Sequence, residues 1–189
     1  MKSIDPQQKR VVIVTGAGSG IGLAVVKKLV KENFVIACTR SNTKMLEGLL
    51  KNIPLSIKEN LSINTFEIEN SDYLKVFINK IYKEYKRIDV LINCAAASHG
   101  GLFNLTKIEE IKSIFETNFF SQLELSQLVS RFMIRKKNGC IINVSSISSF
   151  KNDSGNIAYG SSKSALNYAT KIMAKELGNY GINVNAVAP

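Results

Sequence analysis

Six short apolar runs, rich in β-branched residues, alternate with helical segments along the whole chain, and this alternation leaves few folds open. The runs are Val11 to Thr15, Phe34 to Thr39, Leu61 to Ile68, Val90 to Asn93, Ile141 to Val144 and Ile182 to Val187. Between them, apolar residues recur at helical spacing, as in Ile21, Val25, Val26, Leu29 and Val30. A second helix carries Met45, Leu46, Leu49 and Leu50 and should end before Pro54. Others are predicted over Tyr73 to Tyr85, with Asp72 near the start, over Ile108 to Ile134 as one long stretch, and over Tyr159 to Leu177. Buried strands separated by helices imply a doubly wound parallel sheet, a three-layer α/β/α architecture. With 189 residues and no linker, residues 1–189 form one domain.

The first strand runs into Thr15-Gly16-Ala17-Gly18-Ser19-Gly20-Ile21-Gly22, and a helix follows. Glycines here allow a sharp turn and the close approach of a pyrophosphate, while the first helical N–H groups face an anion. The fold is therefore predicted to be Rossmann type. The spacing is G-x-x-x-G-x-G, because Ile21 stands where the literal dinucleotide fingerprint has its third glycine.

An NAD site usually carries an acid near the end of the second strand, to bind the ribose 2′-hydroxyl. No Asp or Glu lies between Phe34 and Leu46; Arg40 is there instead. A guanidinium suits a 2′-phosphate, so NADP(H) is expected over NAD(H). The alternative is that Arg40 is an exposed loop residue.

Tyr159 and Lys163 are four apart on a predicted helix and share a face. A phenol is a poor base near neutrality, and a neighbouring ammonium lowers its pKa. Such a tyrosine exchanges a proton with a carbonyl or alcohol oxygen, and Ser146, at the end of the fifth strand, is a candidate second donor. Taken alone, the Tyr–Lys spacing is common on helix surfaces; its place after the glycine turn and the serine-rich strand end gives it weight.

At this point the sequence resembles the short-chain dehydrogenase/reductase family over nearly its whole length. The resemblance is carried, in order, by the glycine turn, by Asn93-Cys94-Ala95-Ala96, by Asn118, by Ser146, by Tyr159-Gly160-Ser161-Ser162-Lys163 and by Asn183 to Pro189. It implies that Tyr159 is the acid/base, that Lys163 lowers its pKa and binds the nicotinamide ribose, and that Ser146 orients the substrate oxygen. It implies a water held by Asn118 in a proton relay with Lys163. Cofactor contacts are implied for Gly16, Ser19, Gly20, Ile21 and Gly22, for Glu67 and Ile68 at the adenine, and for Asn93 near the adenosine ribose. Cys94 and Ala96 depart from the family's Asn and Gly. The family continues beyond the position of Pro189 into a further strand and helix. The chain is thus expected to be C-terminally truncated, with its sixth strand at a bare edge.

Composition narrows the function further. One histidine, His99, argues against a histidine metal site or triad. Cys38, Cys94 and Cys140 show no C-x-x-C spacing and read as buried thiols of a reducing compartment. No apolar run is long enough to span a bilayer, and Met1 to Arg10 contains no apolar signal core, so a cytoplasmic protein without a membrane role is expected. The net charge of +10 is spread along helical faces without interleaved aromatics, which argues against nucleic acid. It suits an acidic protein partner, and within the family the closest likeness is to 3-oxoacyl-acyl carrier protein reductases. The expected activity is NADPH-dependent reduction of a small-molecule or acyl-carrier-bound carbonyl, by a homodimer or homotetramer. The alternative is a truncated, non-catalytic remnant that binds nucleotide or a partner.

Overall fold

The computed structural model describes residues 9–189. Residues 1–8, on which most of the signal-segment reading rests, lie outside it. Six parallel strands form one sheet in the order β3-β2-β1-β4-β5-β6. They are β1 (Val11–Val14), β2 (Phe34–Thr39), β3 (Leu61–Thr65), β4 (Val90–Asn93), β5 (Gly139–Val144) and β6 (Ile182–Val187). The chain reverses its winding direction between β1 and β4, which pair with Val12 opposite Val90. A crevice opens at the carboxyl ends of the strands at such a switch point.

The runs of β1, β2, β4 and β5 each serve two cores because successive side chains point to opposite faces. Val12 and Val14 pack on one face with Leu23 and Val26 of α1 (Gly20–Leu29) and Leu46 of α2 (Lys44–Asn52). Val11 and Ile13 pack on the other. There they meet Leu74, Phe77 and Ile81 of α4 (Ser71–Tyr85) and Leu125, Val129 and Met133 of α6 (Ser121–Lys136). The long α7 (Ile157–Gly178) joins this second layer. Helices thus cover both faces, as expected. A short helix, α3 (Leu55–Lys58), follows Pro54 where none was expected.

Two element boundaries depart from expectation, and both shape the site. The third strand stops at Thr65, so Phe66 to Ile68 leave the sheet, and Phe66 and Ile68 line the crevice. The stretch from Ile108 is not one α-helix. α5 (Ile108–Phe115) passes through a π-helical turn, Glu116–Phe120, before α6 begins. The Ser121 amide bonds back to the Glu116 carbonyl, five residues earlier. This extra residue per turn rotates Thr117 and Asn118 into the interior. Helix α4 starts at Ser71, where the Asn70 side chain accepts from the Tyr73 amide at 3.0 Å.

Asp89 holds the opposite end of the sheet together. Its carboxylate accepts from the Val11 amide at 2.8 Å, from Arg87 at 2.7 and 2.9 Å, and from Lys136 at 2.7 Å. Burial alone would raise its pKa. The bonds from Arg87, Lys136 and Val11, with the Arg87 charge, outweigh burial and hold the carboxyl below the usual carboxylate range. Among the described residues no helix is long and apolar enough to cross a membrane.

Candidate active site

The glycine turn is built to close tolerances. A Cβ on Gly22 would sit 2.2 Å from the Gly16 carbonyl oxygen, and one on Gly16 would sit 2.7 Å from the Ala95 amide nitrogen. Gly16 and Gly20 both have positive φ, and the space beside Gly20 is open. Ser19 stands at the N-cap of α1 without a side-chain capping bond. The first amides of that helix are therefore not occupied by the Ser19 side chain. The Thr15 hydroxyl accepts from the Cys94 and Ala95 amides at 3.0 and 3.1 Å, joining this turn to the end of β4. Gly22→Ala is expected to abolish nucleotide binding, because the methyl group meets backbone rather than a movable side chain. Titration of the folded variant with NADPH, beside circular dichroism, checks this.

Over the turn lies a cleft with two compartments that share Gly16, Ser19 and Ala96. The first, about 220 Å³, is lined by Gly18, Arg40, Phe66, Ile68 and Thr117 among others. The second, about 450 Å³, brings together Gly20, Ile21 and Gly22 with Cys94, Ser146, Tyr159 and Lys163. The predicted glycine turn and the Ser–Tyr–Lys set therefore meet in one crevice.

Each candidate side chain is held by the fold. Lys163 is 1% exposed, and its Nζ donates to the Val144 carbonyl at 2.8 Å. The nitrogen lies 5.9 Å from the centre of the Tyr159 ring. Burial pushes the Lys163 pKa down to about 8. Ser146 caps a 3₁₀ turn, Ile147–Ser149, its oxygen accepting from the Ser148 amide at 3.2 Å. That bond uses a lone pair and leaves the hydroxyl proton free to donate.

Asn118 is fully buried in the π turn. Its side chain pairs with both backbone groups of Ala97, at 2.8 and 2.9 Å, and donates to Ser162 at 3.1 Å. The need of a mid-helix asparagine for a partner is met by the loop after β4 and by α7. Gln122, not singled out from sequence, donates to the Ala95 carbonyl at 2.7 Å.

Two expected cofactor residues do not line the cleft. Asn93 is wholly buried and points into the protein, away from the cleft. It donates to Ser126 at 3.0 Å and to Asn143 at 2.9 Å, while Asn143 donates to Thr170 at 2.8 Å. This polar chain anchors α6 and α7 to the sheet, and Cys94 to Ala97 line the cleft instead. Glu67 is exposed and does not line the cleft, whereas Phe66 and Ile68 on either side of it do. The reason is alternation along the chain after β3. Arg40 lines the cleft and donates to Glu69, whose same carboxylate oxygen accepts from Thr117. Of the cysteines, Cys38 is buried as expected, but Cys94 and Cys140 are only partly buried, and Cys94 faces the second compartment. Burial raises the pKa of all three thiols.

The sequence profile of the family described as short chain dehydrogenase matches residues 10–189. The chain belongs to the short-chain dehydrogenase family. It is an NAD(P)-dependent oxidoreductase of that family. The dehydrogenase is 31% identical over 180 residues to the 3-oxoacyl-acyl-carrier-protein reductase of Thermotoga maritima, covering 95% of this chain and 73% of that protein. The solved structure of ElxO with NADP bound superposes with a TM-score of 0.89 at 31% identity, covering 96% of this chain and 73% of that one. An NAD⁺-bound xylitol dehydrogenase gives 0.84 at 25% identity, covering 95% and 69%. The six-strand order and flanking helices of this dehydrogenase are those of a Rossmann-type domain.

Proposed function

We propose that this dehydrogenase reduces a ketone, of the 3-oxoacyl type, to a secondary alcohol with NADPH. The observation that carries the proposal is the convergence of Ser146, Tyr159 and Lys163 on the wall of a cleft whose floor is the glycine turn. That floor fits a dinucleotide, since its glycines leave no room for a Cβ at Gly16 and Gly22 and the α1 N-terminus is uncapped by a side chain. Gly16, Ser19, Gly20, Ile21 and Gly22 would hold the pyrophosphate side, Ile68 the adenine and Arg40 the 2′-phosphate. When bound, the nicotinamide supplies the hydride to the carbonyl carbon.

The chain's own residues handle the proton. Ser146 donates a hydrogen bond to the carbonyl oxygen and holds it as negative charge develops. Tyr159 transfers its phenolic proton to that oxygen. The Lys163 ammonium favours the resulting phenolate and, fixed on Val144, would hold the cofactor ribose. Asn118 fixes the loop at Ala97 and the Ser162 side of α7, and a water held beside it would complete the return path for the proton.

An acyl chain carried by an acidic protein suits the +10 net charge, and the Thermotoga relative bears the name of such a reductase. Exposed Phe120, Tyr168 and Ile172, on the π turn and α7, support assembly into a homodimer or homotetramer through these helices. Three unpaired cysteines accord with a reducing cytoplasmic setting.

Fluorescence titration with NADPH and NADH tests the cofactor. NADPH is expected to bind more tightly. Arg40→Ala should weaken it by about 10- to 100-fold, the worth of charge-assisted bonds, and change NADH by less than about threefold. Equal binding of the two nucleotides, unaltered by the substitution, would remove the assignment of Arg40.

A further inference from the structure

We propose that Glu69 sets the discrimination between NADPH and NADH by competing with the cofactor's 2′-phosphate for Arg40. The proposal rests on the cofactor reading above. The end of β2 carries no carboxylate of its own, but the loop after β3 brings one to the same place. The Arg40 guanidinium donates to Glu69 Oε1, and the Thr117 hydroxyl donates to that same oxygen from the π turn. Glu69 Oε2 is buried and has no partner among the described residues.

These contacts make the two halves of the pair unequal. The carboxylate is pinned by Thr117 and is mostly withdrawn from water, with its side chain 23% exposed. Arg40 is 57% exposed, lines the adenosine compartment and can turn toward a ligand on its long side chain. An arriving 2′-phosphate finds the guanidinium already engaged by a fixed anion. It must share or displace that bond and also sit near the negative charge that made it. Both effects weaken NADPH. A 2′-hydroxyl is neutral and feels neither. Burial of Oε2 also keeps this oxygen from serving as a ribose acceptor. Glu69 therefore narrows the gap between the two cofactors that Arg40 opens.

Glu69→Gln separates charge from shape, since the amide keeps a carbonyl oxygen for Thr117. The full chain and the variant are titrated calorimetrically with adenosine 2′,5′-bisphosphate, adenosine 5′-monophosphate, NADPH and NADH. Expected is a tightening of the two 2′-phosphate ligands by about 5- to 20-fold, with the other two within about twofold. The gap between wild type and variant should shrink as salt is raised. Thr117→Val, which frees the carboxylate without removing it, should move the same two ligands in the same direction by less. Looser binding of the 2′-phosphate ligands to Glu69→Gln would overturn the proposal and make Glu69 a support for Arg40. So would a parallel change in all four ligands, or none. Failure of the wild-type chain to bind any of the four would instead overturn the cofactor reading itself, and the proposal with it.

Discussion

Tyr159→Phe is expected to lower kcat for carbonyl reduction by about 100- to 10,000-fold while leaving NADPH binding within about threefold. The phenolic proton is what the substitution removes, and the ring that packs beside Lys163 stays. General acid catalysis is commonly worth that range. Steady-state kinetics with a 3-oxoacyl substrate, beside a nucleotide titration, separates the two effects. A fall in both together would point to a collapsed cleft rather than a lost proton donor.

The pH dependence of the wild-type protein should carry the signature of Lys163. Under the proposed function its ammonium supports the phenolate, and burial brings its pKa down to about 8. As pH rises through that value the charge is lost, so the reduction rate is expected to fall on this side of the profile. The sign for stability is opposite. The folded-state pKa lies below the ordinary value of 10.5, so between these values the unfolded chain binds more protons. Folding therefore becomes more favourable, as far as this lysine is concerned, as pH climbs from about 8 toward 10.5. A buried cation in the second compartment thus costs stability near neutrality, and under the proposed function it serves the reaction there.

Asp89→Ala is expected to produce the largest loss of stability, about 2–4 kcal/mol, and to leave the residues of the cleft untouched. The carboxylate satisfies the Val11 amide and two cations at once. Its removal leaves a buried N–H at the start of β1 and separates α6 from the loop before β4. Arg87 and Lys136 keep 24% and 37% exposure and can turn to water, which places the loss below that of a fully buried pair. For a domain of this size each kcal/mol lowers the midpoint by about 2–4 °C, so a fall of about 4–16 °C is anticipated. Thermal unfolding followed by circular dichroism measures it. The contribution of Asp89 is also pH-dependent. Its folded-state pKa is depressed, so the stabilisation is present above the ordinary carboxylate pKa and is lost as pH falls through the depressed value. A variant as stable as wild type at pH 7 would show that the four bonds carry little net weight.

The alternation of β-branched runs with helical spacing was enough to specify a parallel sheet covered on both faces. A run such as Val11 to Val14 can be buried on both sides only between two helical layers. Glycine spacing after β1 was equally informative, because the close backbone approach at Gly16 and Gly22 excludes any side chain. Ser146, Tyr159 and Lys163 were legible as a set, since strand ends and a four-residue helical interval leave them little freedom to be anywhere but together.

What the sequence did not decide is where side chains point once strands and helices are packed. Asn93 sits at a strand end beside the cleft, yet its register opposite Asn143 turns its amide into the sheet. Asn118 lies in a stretch whose apolar pattern reads as continuous helix; the π turn that carries it inward forms because Ala97 and Ser162, distant in sequence, satisfy its side chain. The meeting of Arg40, Glu69 and Thr117 has no sequence signal at all. It joins three segments separated by dozens of residues. Local spacing determines which faces are apolar and where the chain must turn. Pairings across the sheet, which fix the orientation of each polar group at the site, depend on contacts that exist only after the layers close.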